Sequence, residues 1–194
     1  MTSASKGERP VPTAKRRVFV GVPLSRDLQK HVEEVQGLLE PVPGMRLLSP
    51  EQFHVTLAFI GYAEEEVVER ARRVVAGVSG SLGGSATLGG FLAFPSARRA
   101  RVVTLEIADD AGIFGRLFEE VMTGLETEAV TEREKRPFRP HLTVARLKKP
   151  GPVQLRTDVE PAEFAVESVC LFESRLRRTG AEYTVLERRT LGAE

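Results

Sequence analysis

The sequence predicts an α+β fold built from two related halves, and three observations carry that reading. The stretch FHVTLAFIG at Phe53–Gly61 returns as PHLTVARLK at Pro140–Lys148, each reading His, apolar, Thr, apolar, Ala. Short runs rich in Val, Phe, Ile and Thr alternate along the chain with segments whose apolar residues recur at helical spacing. An apolar content of 41% over 194 residues is enough for a shared core without a metal or disulfide staple.

Residues 1–15 are polar, contain two prolines and show no periodicity, which predicts a disordered tail ahead of a single catalytic domain over 16–194. RVFVGVPL (Arg17–Leu24) reads as the opening strand. Ser25 and Asp27 then start a helix whose buried stripe is expected at Val32, Val35, Leu38 and Leu39. His31 lies on this helix without a Thr two positions on and is expected at the surface. The first motif strand, His54–Ile60, leads into a second helix with acidic residues at its start, where they favour the helix dipole. GVSGSLGGS (Gly77–Ser85) reads as a loop between the halves.

The second half repeats the layout. ATLGGFLAF and RVVTLEIA are strands joined by the basic turn PSARRA. A helix over about Gly112–Ala129 carries Ile113, Leu117, Phe118, Val121 and Leu125 on one face. The connection VTEREKRPFRP delivers the second motif strand, His141–Leu147, and FAVESVCLFESRL with AEYTVLERRTL closes the chain as a strand pair.

A net charge of +1 excludes a protein that coats nucleic acid by bulk charge, although basic clusters occur locally, at Arg98–Arg101, Arg133–Arg139 and Arg146–Lys149 among other places. No apolar run reaches the roughly 18–20 residues that span a membrane, and no secretory leader is visible. The single cysteine, Cys170, lies in an apolar run and is read as buried and inert. These features point to a cytoplasmic protein, with a monomer as the default.

In a strand successive side chains alternate between faces, so His54, Thr56 and Ala58 are expected to share one face, as are His141, Thr143 and Ala145. His and Thr two positions apart are about 6.6 Å apart along the backbone, close enough to contact one small anion. Imidazole titrates near neutrality, so one ring can take a proton while the other gives one. The threonine hydroxyls can donate to phosphate oxygens, which makes this equipment for phosphoryl transfer without a metal. Zinc is the competing use of two histidines. It takes a third protein ligand, and neither motif offers an Asp, Glu or Cys on its polar face. A Ser–His–Asp hydrolase is disfavoured because no Gly-x-Ser-x-Gly elbow occurs. The residues alone leave open which histidine is the acid.

HVTL and HLTV, 87 positions apart, resemble the paired His-x-Thr-x motifs of the 2H phosphoesterases, and among them the bacterial RNA 2′,3′-cyclic phosphodiesterases, also called 2′-5′ RNA ligases. The resemblance runs from about Arg17 to Leu191 and is densest in PFRPHLTVARLKK. The chain departs from it in its N-terminal extension and in having no Trp, with Thr104 standing where relatives often place one.

The resemblance implies a bilobal fold, two pseudo-twofold-related antiparallel sheets lining a central cleft with helices outside. It implies His54 as proton donor, His141 as proton acceptor and Thr56 and Thr143 as phosphate ligands, with no metal and no cofactor. The partner is an RNA with a 2′,3′-cyclic phosphate end, or a small nucleotide. Water as nucleophile gives a 2′-phosphate; an RNA 5′-hydroxyl would give a 2′-5′ linkage. Arg139 shares the parity of His141 and is a further candidate contact, as are Phe94 for base stacking and Arg101 for the RNA backbone. Arg146 falls on the opposite parity and is read as structural or at the rim. A phosphodiesterase of small cyclic or 2′-5′-linked nucleotides, and a non-catalytic RNA-end binder, are the alternatives.

Overall fold

The computed structural model describes residues 14–178 and 180–192; the tail expected over 1–15 falls outside the described residues except for its last two. In chain order the elements are β1 (Arg16–Pro23), α1 (Arg26–Gln36), β2 (Met45–Leu47), β3 (His54–Ala63), α2 (Glu65–Gly77), β4 (Gly84–Phe94), β5 (Ala100–Ala108), α3 (Ile113–Thr127), β6 (His141–Gly151), β7 (Ala162–Val166), β8 (Ser168–Arg177) and β9 (Gly180–Thr190).

All pairings are antiparallel, in the order β7-β4-β5-β6-β3-β1-β8-β9, with β2 on β6. The join at the middle is slight. β3 and β6 meet through one residue pair, Val55 with Leu142. The sheet is therefore two four-stranded halves, related by an approximate twofold that exchanges β3 with β6 and β1 with β5. The strand–helix–motif strand unit occurs twice, as β1-α1-β3 and as β5-α3-β6, which accounts for the repeated sequence. α2 packs on β1, β8 and β9 and against α3, while α3 packs on β3 and β4.

Local sequence explains the helices. Ser25 caps α1 by accepting from the Leu28 amide at 3.3 Å, and Leu28, Val32, Val35 and Gln36 form the buried stripe. The helix stops at Gln36 rather than running on to Glu40, because Gly37 weakens it and Pro41 and Pro43 follow. Leu38, expected in the stripe, is consequently 39% exposed, while Leu39 is buried. His31 is half-buried and its Nε2 is enclosed without a hydrogen-bond partner, so it is not the surface histidine expected. On α3, Phe118 is half-buried and stacks on Phe138 at 4.3 Å instead of joining the core outright.

The segment FAVESVCLFESRL is two strands, not one. It breaks at Glu167, sending β7 to β4 at one end of the sheet and β8 to β1 in the other half. The three-residue β2, which pairs with β6, was not expected. Cys170 is fully buried with Phe19 and Phe172 in a small second cluster, and burial pushes its thiol up, consistent with an inert side chain. No helix among the described residues is long and apolar enough to cross a membrane.

Both motif strands carry a bulge just after the threonine. Against β1, Gly21 pairs with Thr56 and Val20 with Ala58, leaving Leu57 extra. Against β5, Thr104 pairs with Thr143 and Val103 with Ala145, leaving Val144 extra. Gly21 is where the first bulge is tightest, since a Cβ there would lie 2.7 Å from the Val55 carbonyl oxygen. That atom is backbone and cannot swing away. Gly21→Ala is expected to cost about 1–3 kcal/mol of stability in urea unfolding, and to displace the His54–Thr56 stretch. Full stability in that variant would show that the bulge tolerates a side chain.

Candidate active site

Val55 is 1% exposed and Leu142 fully buried, so the residues on either side of each point to the opposite face. Moving one step along the antiparallel register from the Val55–Leu142 pair puts His54 alongside Thr143 and Thr56 alongside His141. All four polar side chains thus share one face, arranged about the twofold. The four residues singled out by their spacing are brought together.

The two rings are held in the same way. His54 Nδ1 donates to the Gln52 carbonyl at 2.7 Å, and His141 Nδ1 donates to the Arg139 carbonyl at 2.8 Å. A carbonyl only accepts, so Nδ1 carries the proton in both rings and Nε2 is the basic nitrogen of each neutral ring. Gln52 is itself pinned: its amide donates to the Ala181 carbonyl at 2.7 Å, and its oxygen accepts from the Ser49 amide and from Arg46. On the other side, the bulged Val144 has a carbonyl that accepts from the Leu48 amide and from buried Gln36 of α1, at 2.9 and 2.7 Å. Gln36 and Gln52 were not singled out in the sequence. A glutamine on the apolar stripe of a helix was the available signal for Gln36.

The bulges correct two expectations. Ala58 and Ala145 do not continue the His/Thr face as open space; they are 5% and 0% exposed. In each strand the alternation slips by one residue there, and the exposed face resumes at Phe59 in β3 and at Arg146 in β6. Arg146, assigned to the far face by unbroken parity, is returned to the face of His141 and Thr143. Strict alternation fails because a bulge adds one residue without adding a pairing.

The surroundings of the rings differ. His54 sits among Phe19 at 4.6 Å, Tyr183 edge-on at 5.1 Å and Phe172 at 6.2 Å. Burial in this box brings its pKa down to about 4, against the pull of the Gln52 carbonyl; the positive charges of Arg146 and His141 lower it further. The aromatic Phe19 and Phe172 face one another across β1 and β8, on the opposite side of those strands from the main core. His141 has one aromatic neighbour, Phe94, at 5.9 Å.

A cavity lies on each side of the histidines. On the His141 side a space of about 590 Å³ is lined by Thr56, Phe59, Phe94, Phe118, Phe138 and His141, with Glu132, Glu134, Arg136 and Arg139 at its edge. On the His54 side a space of about 680 Å³ is lined by Arg17, Arg46, Arg146, Lys148, Arg177 and Tyr183. Phe94 is 36% exposed and faces the first cavity. The exposed Arg139 also lines it. Arg101, the second residue of β5, has an exposed side chain and lines neither space. Thr104 is fully buried opposite Thr143, its hydroxyl without a hydrogen-bond partner, and so presents no stacking surface. Among the described residues no cluster of three His, Cys, Asp or Glu is placed to hold a metal ion.

A two-lobed antiparallel sheet with two facing His-x-Thr pairs defines a 2H phosphoesterase. The chain belongs to the 2′-5′ RNA ligase superfamily, whose sequence profile matches residues 24–178. It is 32% identical over 191 residues to the RNA 2′,3′-cyclic phosphodiesterase of Thermus thermophilus, covering 92% of this chain and 91% of that protein. It is 35% identical over 149 residues to the enzyme of the same name from Aeropyrum pernix, covering 73% and 84%. A Thermus thermophilus crystal structure superposes with a TM-score of 0.77 at 30% identity, covering 92% of this chain and 99% of that one. Escherichia coli LigT in complex with 3′-AMP superposes with a TM-score of 0.75, over 91% and 98%; at 21% identity that likeness speaks to the fold.

The depressed pKa of His54 has a stability consequence. Between the ordinary 6.5 and about 4, the unfolded chain binds a proton that the native ring refuses. The stability this contributes is complete above pH 6.5 and is lost as pH falls through that window, by up to about 3 kcal/mol. Urea unfolding at pH 7 and pH 4.5 is expected to show a larger loss in wild type than in His54→Gln. Equal losses would mean that His54 titrates normally in the folded protein.

Proposed function

We propose that the protein hydrolyses RNA 2′,3′-cyclic phosphodiester ends to 2′-phosphomonoesters, using His141 and His54 as base and acid with no metal step. The observation that supports this most directly is the pair of imidazoles on one face where the two halves of the sheet meet, each ring fixed through Nδ1 and each beside a threonine of the other strand. The cyclic phosphate lies between the rings. Thr56, Thr143 and Arg146 donate to its non-bridging oxygens, where charge grows in the transition state. His141 takes a proton from water as the water oxygen attacks phosphorus. The bond from phosphorus to the 3′ oxygen breaks, and His54 supplies the proton that this oxygen needs. The phosphate remains on the 2′ oxygen. An RNA 5′-hydroxyl in place of water forms a 2′-5′ linkage by the same proton transfers.

The acid role of His54 requires a charged ring, whereas the free site holds that ring neutral at pH 7. A phosphate anion placed between the rings offsets the Arg146 charge that disfavours protonation, so substrate binding and loading of the acid are linked. The depressed pKa favours a second reading, with the roles exchanged and His54 as base. Aromatic surface at Phe94, Phe59 and Phe138 suits a terminal base, and Arg139 borders the same space. All site residues come from one chain, so a monomer suffices. The free, buried Cys170 suits a reducing compartment such as the cytoplasm.

The test uses a short RNA with a 2′,3′-cyclic phosphate in excess EDTA. Wild type is expected to yield the 2′-phosphate, and His54→Ala and His141→Ala to lose about 10²–10⁴-fold in kcat. An aryl phosphodiester, whose leaving group needs no proton, separates the roles. His54→Ala is expected to retain most activity on it and His141→Ala little; the reverse pattern assigns His54 as the base. Binding of the RNA without turnover would identify an end binder instead.

A further inference from the structure

The two-histidine chemistry leaves the basic cavity beside His54 without a task. Five cationic side chains, Arg17, Arg46, Arg146, Lys148 and Arg177, line it, and among the described residues no carboxylate does. The chain as a whole is nearly balanced, with 28 Lys and Arg against 27 Asp and Glu. Several arginines elsewhere are balanced locally: Arg16, Arg72, Arg73, Arg133, Arg156 and Arg175 lie in ion pairs. Among the described residues, only Arg177 of these five has a carboxylate partner, Glu182. Arg17 donates to the Ser174 hydroxyl and lies over the Phe59 ring, and Arg46 donates to the Gln52 amide oxygen. Cations gathered without counter-charges repel one another, and a bound anion relieves that repulsion.

The backbone also makes room for these side chains. At Gly180, with φ at +138°, a Cβ would lie 2.8 Å from Arg46 Cζ, so any other residue would push the guanidinium aside. β2 and β6 hold Arg46 directly opposite Arg146. The cavity is thus continuous with the catalytic face through Arg146, while Arg46, Lys148 and Arg177 extend it away from the histidines.

A nucleotide ending in a cyclic phosphate carries two further groups, its base and whatever is attached to its 5′ oxygen. The aromatic cavity, whose edge sets Glu132 and Glu134 against Arg136 and Arg139, gathers no excess of positive charge, and its aromatic surface suits the base. We infer that the basic cavity is the subsite for the phosphate on the 5′ oxygen of the cyclic-ended nucleotide, contacted by Arg46, Lys148 and Arg177. The inference rests on the functional reading above and gives the RNA a direction through the cleft, its upstream backbone leaving past β2 and β9.

The test compares kcat/KM for a nucleoside 2′,3′-cyclic phosphate bearing a 5′-hydroxyl with that for the same compound bearing a 5′-phosphate. Wild type is expected to prefer the second by about tenfold or more, within what charge-assisted hydrogen bonds supply. The preference is expected to fall to about threefold or less in Arg46→Gln and in Lys148→Gln, and to persist in Arg116→Gln, which is remote on α3. It is also expected to shrink as salt rises from about 50 to about 200 mM. Because each preference is a ratio within one variant, partial loss of folded protein cancels. Equal use of the two compounds by wild type, or a preference surviving in both cavity variants, overturns the subsite. Turnover of the 5′-hydroxyl compound sustains the functional reading in either case; turnover of neither overturns that reading and the subsite with it.

Discussion

The site depends on one contact, the pairing of Val55 with Leu142 where the two halves of the sheet meet. Both side chains are buried in the common core, which obliges their neighbours to face the other way. Two His-Thr pairs on antiparallel strands then interleave, each histidine beside the other strand's threonine. A longer pairing between β3 and β6 would flatten the junction into continuous sheet. The bulges after Thr56 and Thr143 add local twist and turn the strands apart. A bulge also frees polar backbone, and buried backbone groups left unpaired are costly. The Val144 carbonyl escapes that cost by accepting from Leu48 and Gln36, which links α1 of one half to the motif strand of the other.

Much of this was legible in the sequence because the repeat is short, polar and set in apolar surroundings. His54, Thr56, His141 and Thr143 could be read from spacing alone, as could the helices, whose apolar stripes recur over several turns. Alternation was reliable as far as the bulge and failed one residue later, which is why Arg146 was placed on the wrong face. Nothing in HLTVAR announces the extra residue; it is defined only by what β5 and β6 do together. Gln52 was invisible for a similar reason, since the Ala181 carbonyl it holds belongs to a distant segment, and Gln36 showed only as a polar residue on an apolar stripe. The division of FAVESVCLFESRL into two strands belongs to the same class. A near-continuous apolar run fits one long strand as well as two, and only pairing with β4 and β1 decides.

The approximate twofold supplies two equivalent histidines, but acid–base chemistry needs two that differ. The backbone treats them alike, with Nδ1 of each donating to the carbonyl two residues before it. The difference comes from side chains at equivalent places. Phe19, Phe172 and Tyr183 enclose His54, while among the described residues only Phe94 stands by His141. Position five after each histidine is Phe59 in one strand and Arg146 in the other. The aromatic residue opens one cavity to flat, uncharged surface, and the arginine opens the other to anions.

That asymmetry sets the electrostatics of the pair. Arg146 lies on the face of both rings, and its charge helps keep His54 neutral in the free protein. The same charge attracts a phosphate to the place where a proton on His54 would be useful. In the proposed mechanism an anion there offsets the charge part of that opposition, and the ring can then hold the proton assigned to the departing oxygen. A site whose acid is charged only in the presence of its anion does not keep a cation buried in an aromatic box when empty, which burial would penalise. Burial in the aromatic box, and after it the placement of Arg146 by a single extra residue in β6, therefore makes two copies of one motif chemically unequal.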